Sequence, residues 1–350
     1  MKISIERVRA VLRGEAPDRP PLYDLLRNDA VISHFAGTPL TVENAARVVY
    51  DAYEPALDAT RPAVRMPDEE KTVVLEDGRK QRHFRWTTWT EHVVYPDAAT
   101  YAAAKRAQVD AFDPVWNAEK QNQMDDYLVR VAEERHKLGE VFFFPGGPGL
   151  GLMGIIGEVG IEAFCYYLVE YPDTIETLLD CHREEAVAWI EHLPDDHGIE
   201  AVFSGDDMAF KNGPMLWPTW FESQYFPRMA RVMDAYHARG IKVLFHSDGD
   251  LNPLLDGLVQ AGIDGLNPIE VLAGMDVGVV HRRYPHLFLC GGIDVSQLLP
   301  YGTPQQVKEA VRRAVDAAEG RLMVGSSTEL NNEVPLENYL ALREAVLEYG

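Results

Sequence analysis

The chain has 350 residues, of which 46% are hydrophobic and 25% charged, the composition of an ordinary globular protein. Its formal net charge is −22 at pH 7, and such an acidic surface is repelled by nucleic acid and by anionic membranes, so we expect neither as a partner. The three cysteines have no CxxC spacing, and the charged N-terminus lacks the apolar core of a signal peptide. We therefore expect a soluble cytoplasmic protein without a disulfide framework.

Short β-branched or aromatic runs recur along the chain, each followed by a turn and then by a segment of helical period. This alternation is typical of βαβ units. Eight strands are predicted, at residues 20–24, 54–59, 141–145, 201–205, 242–246, 264–268, 287–291 and 322–326. The sequence therefore predicts an α/β fold, a single (β/α)8 TIM barrel domain spanning residues 1–350.

Helix starts are legible between the predicted strands. Thr219, with Glu222 three residues later, is typical of a capping box, and Thr303 before Pro304 predicts the start of an amphipathic helix that Gly320 ends.

Residues 71–96 have a different texture, because apolar and polar residues alternate on both sides of Asp77 and Gly78. This pattern predicts an antiparallel β-hairpin inserted into the barrel. Its aromatic residues either pack on the barrel or cover its mouth, and packing is the ordinary role of aromatic side chains on a hairpin. They are Phe84, Trp86 and Trp89.

A GxGxxG motif, residues 149–154, follows the third predicted strand. A dinucleotide-binding fold would need a second parallel strand ending in an acidic residue about 20 residues later, but that stretch is predicted to be a proline break and a helix. We therefore expect these glycines to let the loop lie close to a ligand or to a neighbouring helix.

The fifth predicted strand ends at His246, and Asp248 follows two residues later. Since alternate residues of a strand share a face, Leu244, His246 and an extended Asp248 lie on one side, with Val243 and Phe245 on the other. An imidazole and a carboxylate that point together into the barrel mouth suit one metal ion. The alternative is that Asp248 orients His246 or caps the next helix.

Polar side chains also follow the neighbouring strands. Functional groups of a barrel come from the carboxyl ends of its strands, so we expect these side chains to converge there. Clustered carboxylates in a cleft repel one another unless a cation, a proton or a substrate offsets their charge. Taken singly, Cys290 is typical of a small buried apolar residue and Glu329 of a solvated loop charge. The converging residues are Asp206, Asp207, Asn267, Glu270, Cys290, Asp294, Ser326, Ser327 and Glu329.

Several longer stretches resemble the uroporphyrinogen decarboxylase superfamily, which also contains the methylcobamide:thiol methyltransferases. The resemblance implies a (β/α)8 barrel, and relatives suggest a homodimer. In true uroporphyrinogen decarboxylases an arginine-rich loop after the first strand pairs with porphyrin carboxylates, whereas this chain offers only Arg27 there. The methyltransferase-like branch is therefore the closer one. The stretches are "RVRAVLRGEAPDRPP", "FPGGPGL", "SGDDMAFKNGPMLWPTWFESQYFPRM", "FHSDGDLNPLLDGLVQAGIDGLNPIE", "LCGGIDVSQLL", "GTPQQVKEAV" and "PLENYLALREAV".

In the methyltransferase branch, the resemblance implies a zinc ion held by a His-x-Cys pair after the fifth strand and by a second cysteine near the last strand. His246 matches the histidine, but Asp248 replaces the first cysteine and residues 325–338 contain no second one. Carboxylates in place of thiolates make the site harder and give it oxygen ligands.

Our leading hypothesis is a methyltransferase that moves a methyl group between a corrinoid, free or on a carrier protein, and a small molecule. The hypothesis assigns a divalent metal, by resemblance zinc, to His246, Asp248, Cys290 and Glu329. It assigns catalytic roles to Asp206, Asp207 and His246, and substrate contacts to Arg27, Asn267 and Glu270. The alternatives are a metal-free decarboxylase, in which Asp206 or Asp207 protonates or stabilises an intermediate, and a non-catalytic protein that binds a corrinoid carrier.

Overall fold

The computed structural model describes residues 4–349, which fold into a ring of parallel strands surrounded by helices. The helices are α1 Ser4–Leu12, α2 Asp29–Ala36, α3 Ala45–Ala56, α4 Ala98–Asp110, α5 Ala118–Leu138, α6 Leu152–Val159, α7 Ile161–Glu170, α8 Pro172–Glu191, α9 Pro218–Trp220, α10 Phe226–Ala238, α11 Leu255–Gln260, α12 Val277–Arg283, α13 Leu298–Tyr301, α14 Pro304–Ala317 and α15 Leu336–Leu347. The strands are β1 Leu26–Arg27, β2 Ala59–Thr60, β3 Lys71–Val74, β4 Lys80–His83, β5 Thr88–Thr90, β6 Phe142–Phe143, β7 Ala201–Gly205, β8 Ala209–Phe210, β9 Gly213–Pro214, β10 Lys242–His246, β11 Gly265–Ile269, β12 Phe288–Ile293, β13 Leu322–Ser326 and β14 Leu330–Asn331. A π-helical turn, Phe221–Tyr225, joins α9 to α10, and a 3-10 helix, Val271–Ala273, follows β11.

Parallel pairing runs round the whole ring. Five strands form one parallel sheet in the order β7, β10, β11, β12, β13, and β2 pairs with β6. Single parallel bridges join these sheets and the segment 21–24 into a closed circuit: Leu22 to Val324, Tyr23 to Ala59 and Gly146 to Phe203. The predicted (β/α)8 barrel is the observed fold.

The second predicted strand begins too early. Residues 54–56 are the last turn of α3, and the strand is only the pair Ala59–Thr60. Pro55 stands in the final turn of this helix and has no backbone N–H to donate there, and the helix ends one residue later, at Ala56.

The apolar core has two layers, one inside the barrel and one between the strands and the helices. Leu244 lies in the inner cluster with Tyr23 and Cys290, whereas Val243 and Phe245 belong to the outer cluster. The alternation predicted for the fifth strand is therefore confirmed. Helix α1 contributes Val8, Val11 and Leu12 to the inner cluster.

The insertion after β2 is an antiparallel sheet. Strands β3 and β4 form the hairpin at Asp77 and Gly78, and β5 adds a third strand on the far edge of β4. Trp86 is buried, and its Nε1 donates a hydrogen bond of 2.8 Å to Asp29 Oδ1. Phe84 and Trp89 remain 43% and 44% exposed, so Trp86 alone of the three aromatic side chains is buried.

Between residues 4 and 349, no single helix has the length and apolar composition of a membrane span. Helices α6 and α7 meet that standard only when they are counted together, by length and composition, and they are bent by 108°.

Candidate metal centre

The candidate site lies at the carboxyl ends of the barrel strands, and its three central residues come from two neighbouring strands. Asp207 follows β7, His246 is the last residue of β10, and Asp248 stands two residues beyond it. Strands β7 and β10 pair in parallel with His246 opposite Gly205, so their ends meet at one point of the rim.

Asp207, His246 and Asp248 each turn one ligand atom to a common point, and these atoms all lie within 4.8 Å of one another. His246 Nε2 is 3.6 Å from Asp207 Oδ1 and 4.0 Å from Asp248 Oδ2. Both distances are too long for hydrogen bonds. Two ligand atoms on one tetrahedral zinc ion are about 3.4 Å apart, so this spacing fits an ion with small side-chain adjustments.

His246 is held in the orientation that a metal ligand needs. Its Nδ1 lies 2.9 Å from Asn267 Oδ1, and this contact sets Nδ1 as the donor and leaves the Nε2 lone pair facing the two carboxylates. Burial, followed by the charge of Arg61, lowers the pKa of His246 to about 4. The imidazole is therefore neutral at pH 7, as metal ligation requires.

The pKa of Asp248 is shifted in the opposite direction to that of His246. Burial, followed by the charges of Asp207 and Glu270, raises its pKa to about 7. Its Oδ1 is buried and has no hydrogen-bond partner among residues 4–349. A carboxylate that is short of donors and close to two other acids is stabilised by a cation.

The loop after β10 is built by backbone contacts to both neighbouring strands. The backbone N–H of Asp248 donates to Asp207 Oδ1 at 3.0 Å, and that of Gly249 donates to Glu270 Oε2 at 2.7 Å. Gly249 has a φ of 95°, and a Cβ there would lie 2.5 Å from the carbonyl oxygen of Ala209. Only glycine fits this turn, which directs Asp248 back toward His246.

Asp206 does not join the three candidate ligands, although it is adjacent to Asp207. It is buried, and it accepts hydrogen bonds from the backbone N–H of Met153 at 2.8 Å and from the hydroxyl of Tyr225 at 2.6 Å. Burial raises its pKa above the ordinary value. One of its two oxygens thus contacts the first turn of α6, where the GxGxxG motif ends, and the other contacts Tyr225.

Cys290 and Glu329, which were assigned to the metal from the sequence, also lie apart from the three candidate ligands. Cys290 is fully buried in the inner core cluster, where burial raises the pKa of its thiol. Glu329 forms an ion pair of 2.5 Å with Arg27 Nη1. Among the described residues, the group that can share one ion is Asp207, His246 and Asp248, without these two.

Two further residues of the mouth were missed in the sequence. Arg61 directly follows β2, and Asp24 follows the bridge residue Tyr23 at the end of the first strand segment. Both residues follow strand ends in the first half of the chain, the position from which functional groups of a barrel come, and this position is visible in the sequence. Asp24 accepts hydrogen bonds from the backbone N–H and hydroxyl of Ser326, and burial raises its pKa to about 6.

A closed eight-stranded parallel barrel with polar side chains at its carboxyl rim defines the class of (β/α)8-barrel proteins. The sequence model described as Uroporphyrinogen decarboxylase (URO-D) matches residues 92–349, well over half of the chain. The chain belongs to this family.

Among the curated proteins that the chain is similar to are two methyltransferases. Methylcobamide:CoM methyltransferase MtbA of Methanosarcina mazei is 22% identical over 179 residues, which are 51% of this chain and 51% of that protein. Methylated-thiol–coenzyme M methyltransferase of the same organism is 24% identical over 189 residues, 54% of this chain and 48% of that protein. The chain thus spans about half the length of the curated relatives it matches.

A solved structure of a methyltransferase from Methanosarcina mazei has the same fold. Its TM-score is 0.69 at 18% sequence identity, and the alignment covers 100% of this chain and 99% of that one.

Proposed function

We propose that the chain is a methyltransferase of the uroporphyrinogen decarboxylase family that works with a divalent metal ion at Asp207, His246 and Asp248. The observation that carries the proposal is the convergence of these three ligand atoms within 4.8 Å of one another. The names of the relatives support methyl transfer as the reaction class.

The roles of the chain's own residues follow from their contacts. His246 offers Nε2 as a neutral ligand, Asn267 holds the imidazole through Nδ1, and the two aspartates supply oxygen ligands. An ion bound here would act as a Lewis acid on the heteroatom that gives or takes the methyl group. Zinc is our first choice of metal, but its ligands in this chain are oxygen and nitrogen, without the thiolates that the resemblance implies.

In this proposal, the methyl group moves between a corrinoid, which is free or on a carrier protein, and a small molecule. A second copy of the chain as a homodimer partner is likewise part of the proposal. Among the residues predicted to contact substrate, Glu270 accepts from Gly249 and Arg27 pairs with Glu329, and both lie at the barrel rim. We keep them as candidate substrate contacts.

The metal-free decarboxylase has less support. Asp206 was the proposed proton donor, but its carboxyl group is buried and already contacts Tyr225 and Met153. Asp207, the other choice, is one of the three candidate ligands.

The test is metal analysis combined with turnover. We expect the purified protein to hold one divalent ion per chain in Zn²⁺-replete buffer and to change the visible spectrum of methylcobalamin when small acceptors are added. His246→Ala should lose both, whereas His286→Ala, a change at an exposed histidine, should lose neither. Wild-type protein without a bound ion would overturn the proposal, and carbon dioxide release by metal-stripped protein from a candidate acid would favour the decarboxylase.

A further inference from the structure

Arg61 is a buried cation in the barrel mouth whose hydrogen bonding is incomplete. The residue is 8% exposed, and its Nη2 donates to the carbonyl oxygen of Thr328 at 2.8 Å. Its Nε is buried and has no hydrogen-bond partner within residues 4–349. Because an unsatisfied buried donor on a charged group is costly, this N–H points to an acceptor that the protein itself does not supply.

The ion-pair partner of Arg61 is shared with a second arginine. Its Nη2 is 3.9 Å from Glu329 Oε2, and the same carboxylate forms the 2.5 Å contact with Arg27. The Nε of Arg27 is a second buried donor without a partner among the described residues. At ion-pair distance the two guanidinium groups therefore share one carboxylate, and Arg65 adds a third positive charge near Arg27. The buried carboxylates of Asp24 and Asp248 also interact with the charge of Arg61.

One aromatic ring connects Arg61 to the metal centre. The guanidinium carbon of Arg61 lies 4.9 Å from the centroid of the Phe203 ring, and the imidazole of His246 lies 5.2 Å from the same centroid. The guanidinium carbon of Arg61 and the imidazole centroid of His246 are therefore no more than about 10 Å apart, a span that a small molecule can bridge.

We propose that Arg61 anchors an anionic oxygen group, a carboxylate, sulfonate or phosphate, of the small molecule that reacts at the metal centre. The inference rests on the proposed function for what happens to that molecule, but the anion site itself is defined by Arg61. A guanidinium presents N–H groups in a planar fork that matches such oxyanions, and a low-dielectric mouth strengthens the contact. The substrate class is therefore a small anion.

The test measures binding of acetate, sulfate and inorganic phosphate to the full chain by calorimetry at constant ionic strength, with and without Zn²⁺. We expect saturable binding of at least one anion, and the tightest of the three identifies the chemical class of the group. Arg61→Gln should weaken that binding at least tenfold. Arg47→Gln, which removes an exposed guanidinium paired with Asp51, should bind the anion like the wild type.

Arg61→Lys keeps the positive charge but lacks the Nε–H, so we expect it to weaken binding at least threefold. If circular dichroism shows that Arg61→Gln does not fold, the affinity of Arg61→Lys tests the inference instead. Wild-type protein that binds none of the three anions, or undiminished affinity in a folded Arg61 variant, overturns the inference. Because anion binding is also measured without Zn²⁺, it tests the role of Arg61 even if the proposed metal centre proves wrong.

Discussion

The imidazole of His246 is the residue on which the candidate centre depends, and Asn267 controls its orientation. Replacing Asn267 with alanine removes the contact to Nδ1 and frees the ring to rotate. Loss of such an orienting partner typically weakens metal affinity 10–100-fold. We expect this loss for Asn267→Ala in a competition titration with Zn²⁺, whereas the exposed Asn252→Ala should keep wild-type affinity. Equal affinities for both variants would show that Asn267 does not position a ligand.

Asp24 provides a pH test at the rim. Burial raises the pKa of Asp24 from 3.8 to about 6, so the folded state holds this proton more tightly than the unfolded state. The stabilisation from this group is present below about pH 4 and is lost as the pH rises to about 6, a loss of about 3 kcal/mol.

A neutral residue lacks this pH dependence. Asp24→Asn should therefore gain stability relative to wild type between pH 4.5 and pH 8, as measured by urea denaturation at both values. A stability difference that stays constant with pH would contradict the assignment of this raised pKa to Asp24.

At the residue scale, the sequence predicts which strand ends form the site better than it predicts the direction of each side chain. Asp206 and Asp207 both follow a strand, and the local sequence does not indicate which of the two carboxylates faces the barrel mouth. Tyr225, from a distant π-helical turn, binds Asp206, and the backbone of Asp248 binds Asp207. Both contacts are tertiary, so local pattern could not reveal them.

At the element scale, Asp206 connects the end of β7 to the start of α6 by a hydrogen bond. It accepts from the backbone N–H of Met153 in the first turn of that helix, and Tyr225 donates to its other oxygen. Tyr225→Phe removes one buried hydrogen bond to an acidic group and should lower the free energy of unfolding by about 1.5–3 kcal/mol. Urea denaturation measures this loss. Tyr166→Phe, at a residue that is 63% exposed, should change stability by less than about 0.5 kcal/mol. A Tyr225→Phe protein as stable as wild type would mean that this contact contributes nothing.

The two predicted helix starts had different outcomes. Thr303 caps α14 as predicted, because its hydroxyl accepts from the Gln306 N–H and its own N–H donates to Gln306 Oε1. The prediction for Thr219 was wrong. Helix α9 begins one residue earlier, at Pro218, so Thr219 lies inside the first turn and cannot cap it.

At the scale of the whole molecule, the count of strands and helices was sufficient to predict the barrel. In the first half of the ring, strands β2 and β6 have only two residues each. Such short strands carry little sequence pattern, so their bounds were predicted less accurately. We propose that residues 1–350 form one domain with the insertion 71–96 inside it. The candidate metal ligands could be predicted in part, since the sequence predicts His246 and Asp248 together. The third ligand required the pairing of β7 with β10 to be known.

Cobalt substitution tests the centre most directly. Cobalt(II) bound by nitrogen and oxygen ligands has weak visible bands, whereas a thiolate ligand adds a strong near-ultraviolet charge-transfer band. We predict one Co²⁺ per wild-type chain without a thiolate band, a thiolate band in Asp248→Cys, and no binding in His246→Ala. A thiolate band in the wild type, or Asp248→Cys protein that binds Co²⁺ without one, would contradict a centre built from Asp207, His246 and Asp248.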